Sequence, residues 1–329
     1  MQGRARQHPA AQRHLARQEE VRQRRKPPRS DVHRELRAVR RRLQRRGPRF
    51  VPQSPRLNQG RGNVPSLEVE GHSFHYFEED GTGPTVLLLC STGLDSKQWR
   101  DLLPLLAGRK ILCPHYLCYS GTDGWQGEGE IDSWLDYLAS EALLLGEEEP
   151  VDIVGHSYGG FIALRLAKEH PDRIRRMAFH EPIVWGCLQY TERGELKNEF
   201  GEVVETFFTE DLEPEEFLRD FVDYWNVPGS WDIMPNHRRK MWMELQPKIL
   251  SEVRLLCYDR TPPSYYEDIE HPILITLSKD TPPHQFEACT IAASALGDVR
   301  VVEVPGGHMG VVTRSGDVMP HLASWLGTH

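Results

Sequence analysis

The chain has 329 residues, 39% hydrophobic and 9% aromatic, with a formal charge of −8. That apolar content supports a sizeable core, and no apolar run approaches the roughly 18 residues of a membrane span. The net charge hides a division: residues 1–62 hold 19 Lys+Arg against 4 Asp+Glu, and the rest hold 21 against 44. The balances, +15 and −23, predict a basic arm on an acidic globular region whose surface suits neither nucleic acid nor an anionic membrane. In the arm, Val32, Leu36, Val39 and Leu43 have helical spacing behind Asp31, which could cap a helix over 31–46, and such a basic amphipathic helix would tether the protein to nucleic acid or an anionic membrane surface. The rest of residues 1–62 has no packing pattern, so the segment is expected to be a disordered extension, or upstream DNA read from a misassigned start. Residues 48–65 read as linker, punctuated by proline and glycine.

From residue 66 the pattern changes. LEVEGHSFHYFEE alternates around Gly71 and predicts a hairpin. TVLLLC (85–90) is a buried strand, SKQWRDLLPLLAG a short helix ended by Gly108, and KILCPHY (110–116) a strand. IDSWLDYLASEALLL (131–145) has helical spacing, VDIV is a strand, and YGGFIALRLAKEH is a helix stopped by Pro171. IRRMAFHEP, HPILITL (271–277) and VRVVEVP (299–305) are strands; FEACTIAASAL and DVMPHLASWL (317–326) are helices. This alternation predicts an α/β fold with a mainly parallel, doubly wound sheet. Residues 183 to about 265 interrupt it with an aromatic, helical stretch, expected to be an inserted cap. In FLRDFVDYW, Phe217, Phe221 and Tyr224 share one helical face. Most of these aromatics should form the cap's own core, while Trp185, Trp225 and Trp231 are candidates to line a substrate pocket.

The motif that carries chemistry is Gly155-His156-Ser157-Tyr158-Gly159, between a strand and a helix. A structural turn would place glycine or asparagine at the strained centre; here it is serine. The turn lifts the Ser157 hydroxyl out of the sheet and aims a helix N-terminus at it, where partial positive charge favours a developing anion. Serine needs a base, and the base an orienting acid. His308 follows the strand VRVVEVP and the flexible pair Gly306-Gly307. Asp280 follows HPILITLSK, and the order Ser157, Asp280, His308 is the one expected of such a sheet. The rival acid is Glu181, at the end of the FHEP strand. The backbone N–H groups of Tyr158 and Leu94 are the candidate oxyanion donors.

STGLDSKQW, VDIVGHSYGG, the FHEP strand end, HPILITLSKD and VPGGHM, in this order, resemble the α/β-hydrolase fold superfamily, in its capped serine-esterase-like branch. The resemblance covers about four fifths of the chain, 66–329. It implies a Ser157–His308–Asp280 triad, an acyl-enzyme, and hydrolysis without cofactor or metal. Thr92-Gly93 stands where relatives usually carry His-Gly, and His115 where they often carry Asp. The serine at 157 disfavours the branches that use an aspartate nucleophile, dehalogenases and epoxide hydrolases. The expected activity is cleavage of a small carboxylic ester. Lactone, thioester, amide or diketone C–C hydrolysis and perhydrolysis are alternatives on the same residues, and a non-catalytic ligand-binding module is the reading from another class. The six cysteines show no CxxC pair or regular spacing and predict free thiols in a reducing, cytoplasmic compartment.

Overall fold

The computed structural model describes residues 64–209 and 211–327. The basic arm, its expected helix over 31–46 and most of the expected linker lie outside them. The opening hairpin is β1 (Ser66–Val69) and β2 (His72–Glu79), turned at Glu70 and Gly71, both with positive φ. β3 (Gly83–Leu89), β4 (Arg109–Pro114), β5 (Val151–His156), β6 (Ile174–His180), β7 (Pro272–Ser278) and β8 (Asp298–Val304) follow. The eight strands form one sheet, ordered β1-β2-β4-β3-β5-β6-β7-β8. β1 and β2 pair antiparallel and β2 joins β4 antiparallel; every other pairing is parallel. The central strand β5 is buried at every position, as Val151, Ile153 and Val154 predict for a strand covered on both faces, with the buried Asp152 paired to Arg109.

The crossovers follow from handedness. The link from β3 to β4 runs one way along the sheet, and all later links run the other way. Right-handed connections therefore put the first link on one face and α1 (Trp134–Gly146), α2 (Tyr158–Glu169) and α7 (Pro283–Ala295) on the other. The short α8 (Gly310–Thr313) follows β8, and the C-terminal α9 (Ser315–Gly327) packs on β6, β7 and the turn at Leu103–Leu106. The single helix expected over SKQWRDLLPLLAG is instead two 3-10 turns, Ser96–Trp99 and Leu103–Leu106. Asp95 caps the first through the Lys97 N–H, and Pro104 is the second residue of the second, where its missing N–H is harmless.

Between β6 and β7 the described residues contain no strand. Helices α3 (Gly194–Phe207), α4 (Pro214–Trp225), α5 (Ser230–Ile233) and α6 (Asn236–Cys257) fill this insertion. The expected face of α4 is realised: Phe217, Phe221 and Tyr224 all contact the Phe207 ring, at centroid distances of 5.5–6.1 Å. Phe217 is almost wholly buried and stacks on Phe221. Phe217→Ala should therefore destabilise the protein by about 3–5 kcal/mol, the usual cost of emptying a buried phenylalanine site. Urea unfolding monitored by tryptophan fluorescence would measure it, and a loss below about 1 kcal/mol would mean the insertion does not pack as described.

Candidate active site

Ser157 sits at the seam of β5 and α2 with φ 56° and ψ −117°, a conformation that side chains other than glycine rarely adopt. Its neighbours explain the glycines of the motif. A Cβ on Gly155 would lie 2.9 Å from the Gly160 nitrogen, and one on Gly159 would lie 2.2 Å from the Leu89 carbonyl oxygen. The turn is held at both ends: Ser157 N–H donates to the His180 carbonyl, and the Ser157 carbonyl accepts from Ile183 N–H. Tyr158 is the first residue of α2, so its N–H has no carbonyl within the helix and points with the helix dipole toward the serine.

His308 follows β8 through Gly306 and Gly307, both with positive φ. Its loop is tethered at successive groups. Gly307 N–H donates to Ser278 Oγ (2.9 Å), His180 Nε2 to the Gly307 carbonyl (3.2 Å), and His156 Nε2 to the His308 carbonyl (2.8 Å). The His156 and His308 rings are 4.8 Å apart, which places His308 against the residue preceding Ser157. Burial and the neighbouring histidines push His156 well below the usual histidine range, so it is a neutral structural donor.

The acid beside His308 is Glu181. His308 Nδ1 lies 2.9 Å from Glu181 Oε2, and both side chains are buried. Ser278 N–H (2.9 Å) and Thr281 Oγ1 (2.8 Å) also donate to this carboxylate. Burial alone would raise its pKa; the His308 hydrogen bond, the electrostatic influence of the His180 and His308 rings and the Ser278 N–H outweigh it and hold Glu181 below the ordinary value. An ionised Glu181 fixes the His308 tautomer, with the proton on Nδ1 and the lone pair on Nε2. That Nε2 is buried and has no hydrogen-bond partner.

The expected partner, Asp280, is elsewhere. Its carboxylate is exposed and accepts from Gly306 N–H at 3.1 Å, supporting the loop rather than the imidazole. The reason is position along the strand. Glu181 directly follows β6, and its φ of 44° turns the chain inward, whereas Asp280 lies two residues past the end of β7, in a solvent-facing turn. The sequence held two carboxylates at strand ends; the distinguishing signal was the immediate adjacency of Glu181 to its strand, with Ser278 and Thr281 as hydroxyl neighbours.

The second expected oxyanion donor also differs. Leu94 N–H closes a turn on the Ser91 carbonyl (3.1 Å), with Gly93 at φ 74°, and is thereby engaged. Gly93 N–H donates to Tyr119 Oη. Of the three tryptophans, Trp225 of α4 lies directly on the site: its ring stacks on His308 at 3.6 Å, with 23° between planes. Trp185 stacks on Trp225 at 5.9 Å, one layer further out. Trp231 is buried within the insertion, bonded through its indole to Glu215 and through its backbone to Asp223, so it belongs to the insertion's own core. With Trp225 in place, Ser157 is 4% and His308 2% exposed.

Among the described residues, Glu141, Glu169 and His170 form the one grouping with metal-ligand spacing, and it lies on α1 and at the end of α2, away from Ser157. His170 is there paired with Glu141. All six cysteines are free; Cys90 and Cys113 touch through sulfur at 3.5 Å without a bond.

The model of the alpha/beta hydrolase family matches residues 86–319. The 2-hydroxymuconate semialdehyde hydrolase of Pseudomonas sp. (strain CF600) is 32% identical over 114 residues, 34% of this chain and 38% of that one. The pimeloyl-[acyl-carrier protein] methyl ester esterase of Aeromonas hydrophila is 31% identical over 100 residues, 30% of this chain and 38% of that one. The haloalkane dehalogenase of Sphingobium indicum is 30% identical over 145 residues, 40% and 47% of the two chains. The chain thus spans less than half the length of each of these curated relatives. Among solved structures, a hydrolase from Pseudomonas aeruginosa superposes with a TM-score of 0.62 at 18% identity, covering 82% of this chain and 100% of that one. The 2-hydroxy-6-oxo-6-phenylhexa-2,4-dienoate hydrolase of Rhodococcus sp. does so at 0.57 and 20% identity, covering 78% and 95%. With the model matching most of its length and the sheet and elbow in their expected places, the chain belongs to the alpha/beta hydrolase family.

Proposed function

We propose that this hydrolase cleaves small carboxylic esters through an acyl-enzyme on Ser157, with His308 as base and Glu181, not Asp280, as the orienting acid. The observation that carries the reading is the state of His308: its Nδ1 is bound to a carboxylate held below its ordinary pKa, and its Nε2 is buried without a partner in a ring packed 4.8 Å from His156, the residue before the strained Ser157. Ser157 Oγ attacks the ester carbonyl and its proton passes to His308 Nε2. The oxyanion forms at the N-terminus of α2, where Tyr158 N–H donates. His308 returns the proton to the departing alcohol. Water then attacks the acyl-enzyme, giving its proton to His308, and the acid leaves as Ser157 is restored. No step calls for a cofactor or metal. The helical insertion acts as the cap, with Trp225 and Trp185 as the pocket wall over His308. The free thiols fit a reducing, cytoplasmic setting.

The names of the relatives favour a second reading on the same residues. One is an ester hydrolase and another a semialdehyde hydrolase, so C–C cleavage of a diketone stands beside ester cleavage. Assays of p-nitrophenyl esters of increasing chain length, alongside a diketone, distinguish them. The expected result is ester turnover that Ser157→Ala abolishes; full activity in that variant would refute the mechanism.

The two carboxylates give opposite expectations. A glutamine at 181 offers N–H to Nδ1 and shifts the imidazole proton to Nε2, where the ring no longer accepts from serine. Glu181→Gln should lose kcat on the order of ten-thousandfold, the scale known for the matching change in a serine-protease triad. Asp280→Asn should lose less than about tenfold, because only a loop hydrogen bond changes. Steady-state kinetics of the two variants would reveal a reversed ranking at once.

Trp225 covers the base, so truncating it opens volume beside the scissile bond. Trp225→Ala should raise the kcat/KM of long over short acyl esters by about tenfold or more, the scale of pocket discrimination per methylene. An unchanged ratio in a chain-length series would remove Trp225 from the pocket wall.

A further inference from the structure

The insertion carries a charge into the core that the mechanism above does not use. Lys248, on α6, is 1% exposed. Its ammonium lies 2.5 Å from Asp136 Oδ2 of α1, 2.8 Å from Glu252 Oε1 and 3.2 Å from Ser133 Oγ. Both carboxylates are fully buried. Burial pushes both their pKa values up, which marks the cluster as expensive to desolvate. A packed apolar cluster would hold the insertion down equally well.

What distinguishes the cluster is what its outer atoms touch. On one side, Asp136 Oδ2 accepts from Tyr158 Oη (3.0 Å), which is also 2.9 Å from the Ser133 carbonyl. Tyr158 follows Ser157, and its N–H is the oxyanion donor of the proposed mechanism. Asp136 Oδ1 accepts from Leu117 N–H, which fixes the carboxylate itself. On the other side, the Lys248 ammonium is 5.8 Å from the Tyr119 ring centre and 5.8 Å from that of Tyr158. Tyr119 Oη holds Gly93 N–H (3.1 Å), in the loop that follows β3. On an adjoining face of α6, Trp242 and Ile249, seven residues apart, close on Gly93: a Cβ there would lie 3.1 Å from Trp242 and 3.6 Å from Ile249. One helix of the insertion therefore reaches both Tyr158, next to Ser157, and Gly93, in the loop after β3.

We infer that Lys248 is a positioning residue, tying α6 through Asp136 to Tyr158 and against Tyr119 to Gly93, so that the oxyanion-binding backbone is aligned only while the insertion is seated. The inference rests on the serine reading above. It assigns the insertion a part in catalysis as well as in enclosing the substrate, since a cap that lifts away takes the ammonium with it.

The test compares Lys248→Met, the charge-free triple variant Lys248→Met/Asp136→Asn/Glu252→Gln, and Tyr158→Phe, which keeps the backbone N–H and loses only the hydroxyl. Each is measured for Tm, for kcat and KM on a p-nitrophenyl ester, and for affinity toward an alkyl boronic acid, which mimics the tetrahedral adduct. Lys248→Met should lower Tm, because it strands buried carboxylates. The triple variant should regain Tm yet keep a kcat about ten- to a hundredfold low, somewhat less than removal of an oxyanion donor, with KM little changed. Tyr158→Phe should show the same selective fall in kcat, and boronate affinity should fall in parallel. Recovery of kcat together with Tm in the triple variant, or normal kcat in Tyr158→Phe, overturns the inference. Labelling of wild-type Ser157 by a fluorophosphonate separates the two levels: an unlabelled Ser157 refutes the serine reading and the inference with it, whereas a labelled Ser157 with recovered kcat refutes the positioning role alone.

Discussion

The hydrogen bond between Glu181 and His308 is the constraint around which the site is arranged. It joins the end of β6 to the loop after β8, two strands further along the sheet, and brings both buried groups beside the turn that holds Ser157. A carboxylate buried this deeply needs groups that replace lost water, and three lie within hydrogen-bond distance: the His308 ring, the Ser278 N–H and the Thr281 hydroxyl. Much of the nearby backbone serves that requirement. Glu181 accepts an unfavourable positive φ to face inward, Ser278 donates from the last position of β7, and His180 holds the Gly307 carbonyl so that His308 turns back over the sheet.

The fold was legible because its signals are local. The run VDIVGHSYGG states a buried strand, a tight turn and a helix within ten residues, and the glycines at 155 and 159 are required by backbone approaches inside that segment. Helical spacing likewise placed α1, α2, α4 and α9 within a few residues. The positions of Ser157 and His308 were legible for the same reason, each near a strand end with a glycine turn beside it. The acid was not. Choosing between Glu181 and Asp280 depends on how far each side chain lies beyond its strand and on which way the backbone turns there, and both are properties of the assembled sheet edge. Leu94 illustrates the same limit: its place after Thr92-Gly93 suggested a free N–H, but the positive φ of Gly93 closes a turn that uses it.

The insertion was legible as helical and aromatic, and its three tryptophans illustrate how composition blurs roles. Trp225, Trp185 and Trp231 are indistinguishable as residues, yet one stacks on His308, one backs it, and one is held inside the insertion by Glu215 and Asp223. Lys248 carried no sequence signal, since a lysine midway along a polar-rich helix reads as solvent-facing. Only the approach of α6 to α1 makes it a buried cation.

The central claim is most directly tested by one-dimensional proton NMR of the imidazole region, read far downfield, where a histidine Nδ1 proton shared with a carboxylate resonates. The account predicts such a resonance in the wild-type protein and in Asp280→Asn, and its loss in Glu181→Gln. A signal that survives Glu181→Gln, or that vanishes in Asp280→Asn, would contradict it.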